Sequence, residues 1–444
     1  MTYMQPGIAD QHGVRDDFVP KDSYLSAEFA ALEKQRLWPK VWQIACRLEE
    51  IPKIGDFVTY EVADESIIIV RAGADDVRAF YNVCLHRGRK LTEGCGHAVK
   101  LFCRYHGWRW NLDGTNDAVI DREDWAEKLT DESLTLTGPK IGFWGGWVFI
   151  NMDQDAGALL DHLEPVASIF KNYEFEKLRY RWYKTTVLPC NWKVALEAFN
   201  EGYHVQTTHR QLLPVNDDAT ISETHGPHAT FYPPPDNRPV GLPSRRLDAA
   251  MPNDTRQPVA SFFDMMERDL KAIVSERAHR AAQRLLADVP PGTSHMDVLM
   301  QLGGFIAEAA ITDGAGYPNL TYEEIVRAGL DWHVFPNHIF LPAPDAILAY
   351  RARPWKDDPD RCLFDVWSLV RYAPGQEPKI EREFYENWQD HDGWGLILTQ
   401  DFRNLADIQQ GMKSRGFAGA RTSPVQERAI SNFHRTLREY VLGK

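Results

Sequence analysis

The sequence has no apolar run long enough to cross a bilayer, which excludes a transmembrane helix. It is short of positive charge: 50 Lys and Arg stand against 63 Asp and Glu, a formal net charge of −13. A nucleic-acid partner would call for a basic face, so that class is set aside, while a local basic patch for a protein partner stays open. Residues Met1 to Asp10 have neither the basic start nor the apolar core of a signal peptide. A cytoplasmic protein with no membrane association is therefore expected. Internal repeats and low-complexity tracts are also missing. Cysteine is scarce, with six in 444 residues, at positions 46, 84, 95, 103, 190 and 362. In a reducing compartment these are not disulfides by default, and cysteines placed near histidines suggest metal.

Apolar residues are plentiful, at 43%, with fourteen Trp and twenty-one Phe, enough for large cores and an aromatic-lined pocket. A chain of 444 residues exceeds what one core usually serves, so two domains are expected. A helical stretch from Ser26 to Leu37 is stopped by Pro39. From Trp42 to Asn151 the texture is that of strands. Asp56 to Val62 alternates apolar and polar, Ser66 to Val70 is a short buried-type run, and Val77 to Val83, Lys100 to Cys103 and Trp147 to Ile150 add more. Beyond Asn151 the period changes. Helices are expected over Gly157 to Tyr173, Pro189 to His204 and Ser261 to Ala287, with a long loop over residues 226–258. Strands return at Asp331 to Phe335, Ala346 to Arg353 and Cys362 to Tyr372, and helices close the chain at Trp394 to Met412 and Pro424 to Val441. This is an α+β texture, antiparallel strands with helices laid against them.

Two constellations suggest metal. Cys84-Leu-His86 is followed, after sixteen intervening residues, by Cys103-Arg-Tyr-His106. Each pair can sit at a loop tip and present one Cys and one His to a shared centre. Thiolate and imidazole suit structural zinc or an iron–sulfur cluster. The ligands alternate Cys, His, Cys, His, so each loop can serve both irons of a cluster in which one iron takes two Cys and the other two His. Gly88 and Gly107 allow close backbone approach, and Trp108 can shield the centre. Cys95 and His97 lie between the loops and read as structural.

The second constellation is Glu201-Gly-Tyr-His204-Val-Gln-Thr-Thr-His209. Two His and a carboxylate are the facial triad of non-haem Fe(II) sites that leave positions open for oxygen. Residues five apart on an ideal helix are about 140° out of phase. The helix must therefore end or bulge between His204 and His209, and Val205 to Thr208 is the expected place. Glu201 and His204, three apart, would share a helical face.

The stretch from Cys84-Leu-His86-Arg-Gly to Cys103-Arg-Tyr-His106-Gly-Trp resembles the Rieske domain of ring-hydroxylating and related oxygenases. Asn191-Trp-Lys, Glu197-Ala-Phe-Asn-Glu201-Gly-Tyr-His204 and His209 resemble that family's catalytic motif. The likeness extends from about Trp42 to Leu437 and is least clear across residues 215–330. It implies residues 1–40 as a segment packing on the catalytic domain, 41–155 as an all-β Rieske [2Fe–2S] domain, and 156–444 as a helix-grip catalytic domain. Cys84, His86, Cys103 and His106 would hold the [2Fe–2S] cluster, and His204 and His209 a mononuclear Fe(II). The resemblance places the third iron ligand at Asp401, ahead of Asp407, Asp390 and Asp392. It makes Glu201 a bridge that passes electrons between a neighbouring subunit's His106 and this iron. Many ring dioxygenases have Asp there; Glu occurs in members acting on non-ring or demethylation substrates.

The function so implied is a terminal oxygenase component that takes O2 as co-substrate. Its electrons come from NAD(P)H through a reductase, with or without a ferredoxin. A homotrimer is implied, with or without a small β subunit. The expected substrate is small, hydrophobic and aromatic, and the expected reaction is ring hydroxylation. O- or N-demethylation, or attack on a non-aromatic substrate, is the alternative within the same machinery. Phe199, Asn200, Val205, Leu213, Trp332, Phe335 and Phe340 are pocket candidates, and His333 and His338 read as polar residues on strand edges. Two other classes stay open: an electron carrier with no second iron, and a structural zinc protein.

Overall fold

The computed structural model describes residues 13–379 and 381–443. The reading of Met1 to Asp10 lies outside the described residues. The chain divides into two compact units, one of residues 31–164 and one of the remainder. The sequence-derived cuts fell after residues 40 and 155. In the structure residues 31–40 belong with the first unit, and residues 156–164 stay with it as well.

The unit of residues 31–164 is built of short antiparallel strands. Asp56–Val62 pairs with Glu65–Arg71, which pairs in turn with Val77–Tyr81. Cys95–His97 lies along the other edge of Asp56–Val62. Lys140–Trp144, Trp147–Asn151 and Gln43–Arg47 form a second sheet. Leu101–Phe102, Arg109–Trp110 and Asn116–Ala118 form a third. Ile67 to Val70 are buried on both faces, as their unbroken apolar run implies. Ile68, Val70, Phe80, Trp108 and Trp110 share one core with Cys84 and Cys103. Fully buried Trp110 anchors it, donating its indole N–H to the Leu134 carbonyl at 2.7 Å.

The second unit is organised on an eight-stranded sheet. In chain order its strands are β1 (Leu178–Leu188), β2 (Ile221–His225), β3 (His228–Tyr232), β4 (Asp331–Val334), β5 (His338–Pro342), β6 (Ala346–Trp355), β7 (Asp358–Arg371) and β8 (Arg382–Tyr385). They lie in the order β2-β3-β4-β5-β6-β7-β1-β8. All neighbours are antiparallel except β1 and β8. The helix Gly395–Met412 packs against Trp192–Glu197, Arg256–Asp269 and β1. This is the expected α+β arrangement. Gly395 opens its helix at φ +81°, where a Cβ would lie 2.2 Å from the Asp269 carbonyl oxygen, so glycine is required.

Several elements differ from the sequence reading. The helix expected over Gly157 to Tyr173 is two short ones, Leu159–Leu163 and Val166–Ile169, split at Pro165. The helix expected from Pro189 to His204 is confined to Trp192–Glu197, started by Asn191, whose side chain accepts from the Lys193 N–H. The loop expected over residues 226–258 contains strand β3, which turns back on β2 at Gly226. Between Ser261 and Ala287 the helix is interrupted where Lys271 and Ile273 take positive φ, leaving Arg256–Asp269 and Glu276–Gln283. His333 and His338 are not on strand edges. Both are buried on interior strands, with His333 against the Pro336 carbonyl and His338 against the Tyr350 carbonyl. Among the described residues, no helix is long and apolar enough to cross a membrane.

Candidate metal centres

In the unit of residues 31–164, the loops Cys84–Arg89 and Cys103–Trp108 are built alike. In each, the Cys N–H donates to the carbonyl five residues on, and the Gly four residues on donates back to the Cys carbonyl. Gly88 and Gly107 close these turns at φ +77° and +73°, where a side chain would be strained. The repeated turn brings both thiols into the buried core, and burial pushes the Cys84 thiol up, with Cys103 adding to the rise. The His86 and His106 rings sit 4.5 Å apart between centroids, and His86 stacks on Trp108 at 4.8 Å. His86 Nδ1 is buried with no hydrogen-bond partner, the condition of a nitrogen kept for a metal. Two buried thiols and two adjacent imidazoles fit a two-iron cluster in which one iron takes both Cys and the other both His. Cys95 is exposed, and His97 Nδ1 pairs with Asp56 at 2.9 Å, so neither joins this group.

In the other unit, His204, His209 and Asp401 do converge, their ligand atoms lying within 4.8 Å of one another. Asp401 Oδ1 is 2.9 Å from His209 Nε2 and 3.5 Å from His204 Nε2. The chain reaches this geometry by leaving the helix at Glu197. Glu201 and His204 therefore meet across a turn and not along a helical face. Glu201 Oε2 accepts from the His204 N–H at 3.1 Å, and Oε1 lies 2.5 Å from His204 Nδ1. Val205–Thr208 is a single helical turn, and His209 leaves it at φ −114°, ψ 45°. The break thus falls at the end of that turn, not within it. The other Nδ1, that of His209, is held by the Gln400 side-chain oxygen at 2.9 Å. With both Nδ1 atoms engaged, both Nε2 atoms are left to face the centre. Burial lowers the His204 imidazole, but Asp401 and then Glu201 outweigh it and raise it to about 10. A divalent cation among the three donors takes the place of that proton. Asp407, Asp390 and Asp392 are exposed, whereas Asp401 is buried on Gly395–Met412.

A cavity of about 300 Å³ opens beside this triad. Phe199 and Val205 line it, as the sequence reading held; Asn200, Leu213, Trp332, Phe335 and Phe340 do not. Trp332 and Phe340 pack instead on Phe170, and Phe335 on Tyr440. Phe231, Phe262, Tyr350 and Asp331 line the cavity and were missed, as was Gln400. Their strands and helices were partly legible, but nothing in their local spacing marks them as facing a site. Five Asp and Glu and no Lys or Arg are among the described residues lining it; burial, with Glu201 adding, pushes the Asp331 carboxyl well above the ordinary carboxylate range.

Two metal-competent clusters on an all-β unit and a helix-backed antiparallel sheet define a Rieske-type iron protein. The chain belongs to the ring hydroxylating alpha subunit family: that family's catalytic domain matches residues 175–443, and the Rieske [2Fe–2S] domain matches residues 41–124. Those two domains imply a Rieske cluster and a mononuclear iron as cofactors. A carnitine monooxygenase oxygenase subunit of Acinetobacter pittii (strain PHEA-2) is 34% identical over 198 residues, 43% of this chain and 52% of the relative. A glycine betaine monooxygenase oxygenase subunit of Chromohalobacter salexigens is 30% identical over 216 residues, 48% of each. The chain spans about half the length of the curated relatives it matches. The crystal structure of the quaternary ammonium Rieske monooxygenase CntA with L-carnitine shares the fold, with TM-score 0.64 and 21% identity over 98% of this chain and 100% of that one.

Proposed function

We propose that the chain is the terminal oxygenase of a Rieske system and acts on a small organic cation with an alkylated nitrogen. Cys84, His86, Cys103 and His106 hold the cluster, and His204, His209 and Asp401 hold the iron. Iron bound there supplies dioxygen activation, with electrons delivered through the cluster by a partner reductase. Glu201 fixes His204 and is the bridge toward a neighbouring subunit's cluster in a homotrimer.

The cavity wall carries the substrate reading. Phe199, Phe231, Phe262 and Tyr350 put four aromatic rings on that wall, and aromatic rings attract alkylated ammonium groups. The charged side chains beside them, other than the histidines, are all carboxylates. A neutral arene gains nothing from that charge, whereas a cation does. The relatives named for carnitine and glycine betaine point the same way. This moves the preference from ring hydroxylation to the non-aromatic alternative. The expected reaction inserts one oxygen atom into a C–H bond next to nitrogen. The second atom leaves as water with two electrons and two protons, and the N–CH2OH product splits to amine and formaldehyde.

The test is substrate-dependent oxygen uptake by the iron-loaded protein with a Rieske reductase. Methylated amines should raise uptake and release formaldehyde, while neutral arenes should not. Uptake with arenes alone would restore ring hydroxylation.

A further inference from the structure

Five carboxylates line the cavity, and four are already engaged. Glu201 holds His204, and Asp401 lies against His209. Asp217 takes the Arg245 guanidinium at 2.9 Å, and Asp218 takes Arg246 at 2.6 Å and the Ser244 hydroxyl at 2.6 Å. Asp331 is the exception. It opens β4, and its backbone is satisfied: its carbonyl accepts the Thr230 hydroxyl, and the strand pairs with β3. Its side chain is wholly buried, and neither oxygen has a hydrogen-bond partner. Asp331 is nevertheless among the residues lining the cavity, beside Phe231, Leu330 and Tyr350. Leaving a carboxyl dry and unpaired is costly, and structures keep such groups where a ligand completes them.

Resting on the proposed substrate class, we infer that Asp331 is the substrate-anchoring residue and accepts an N–H from the cation. The substrate is thus a protonated secondary or tertiary amine in preference to a quaternary one. A quaternary nitrogen offers charge but no donor, so it leaves both Asp331 oxygens unpaired. Burial by itself disfavours the ionised Asp331 carboxyl; an ammonium N–H supplies both the missing hydrogen bond and the positive charge that favours the carboxylate. Phe199 and Tyr350, stacked on each other at 4.2 Å, are then apolar wall for its alkyl groups.

The experiment compares N,N-dimethylethanolamine, protonated at neutral pH, with choline, which differs by a methyl group in place of the N–H. Binding is measured by calorimetry on the iron-loaded protein without oxygen, and turnover by formaldehyde release. The protein should bind the tertiary amine about tenfold or more tightly, the range of a charged hydrogen bond. Asp331→Asn should bring the two within about threefold of each other while iron content is kept. Should Asn fail to fold, as read by thermal unfolding, Asp331→Ser provides the same comparison. Equal affinities in the parent protein, or a preference that survives in the variant, overturns the inference. If both amines bind and turn over without Asp331-dependent discrimination, this inference alone fails. If neither binds, it falls together with the substrate class on which it rests.

Discussion

At the scale of single residues, the role proposed for Glu201 is to set a metal site without touching the metal. Its two oxygens take both the ring Nδ1 and the backbone N–H of His204, so the imidazole can turn in neither direction. Glu201→Gln keeps the length but loses the charge. Both metal centres should remain loaded, and activity should fall roughly 10–100-fold, the usual scale for partners that orient ligands. The readout is reoxidation of a pre-reduced cluster in a single turnover with substrate. Reoxidation at the parental rate with full iron would remove Glu201 from the electron path. At this scale the sequence was most legible: the four Cys and His, the two later His and the acidic position three before His204 are short-range patterns. Asp401 was reached only through the family likeness, because one Asp on a helix looks like any other. Gln400, Asp331 and Tyr350 act through distant contacts, and no local spacing reports those.

At the scale of elements, the sheet of the second unit depends on a buried charge cluster. Asp365 on β7 accepts from Arg351 and Arg353 on β6, at 2.7 and 3.0 Å, and from Thr185 and Tyr183 on β1, at 2.7 and 3.2 Å. Three adjacent strands are thereby tied at one point. Burial would raise this carboxyl, but Arg351 and Arg353 outweigh it and hold it at about 2. A carboxylate depressed in the folded state contributes stability above its unfolded value and loses it as pH falls through the folded one. The contribution of Asp365 is therefore complete above about pH 4, the ordinary carboxyl range, and gone below about pH 2. Asp365→Asn removes the carboxylate that faces two buried guanidinium groups and should cost about 3–5 kcal/mol at neutral pH. Urea unfolding should show the gap between parent and variant closing in acid; a gap constant from neutral pH to about pH 2 contradicts the assignment. Elements whose pattern is local, such as Asp56–Val62 and Gly395–Met412, were readable in advance. β1 lies between the helices expected over Gly157 to Tyr173 and Pro189 to His204 and was assigned no element, although Leu178, Tyr180 and Trp182 alternate with Lys and Arg. β3 was hidden by the Pro-rich segment after it, and the helix after Ser261 looked continuous because the backbone break at Lys271 and Ile273 leaves no Gly or Pro mark.

At the scale of the whole molecule, the division into two units makes the metal centres separable. Every proposed cluster ligand lies within residues 31–164, and every proposed iron ligand lies outside that range. Loss of one centre therefore need not unfold the other. A fully loaded chain should contain about three irons and two acid-labile sulfides, from one two-iron cluster and one mononuclear site. His204→Ala should remove about one iron and leave sulfide and the reduced-cluster EPR signal intact, since the core around Cys84 and Cys103 shares no residue with the triad. Cys103→Ser should do the reverse, abolishing sulfide and the signal while about one iron stays bound. Zinc in place of iron at the first centre would contradict the cluster assignment. Loss of both centres from either substitution would show that the units depend on each other for folding, and the two-unit reading of the chain would have to be given up.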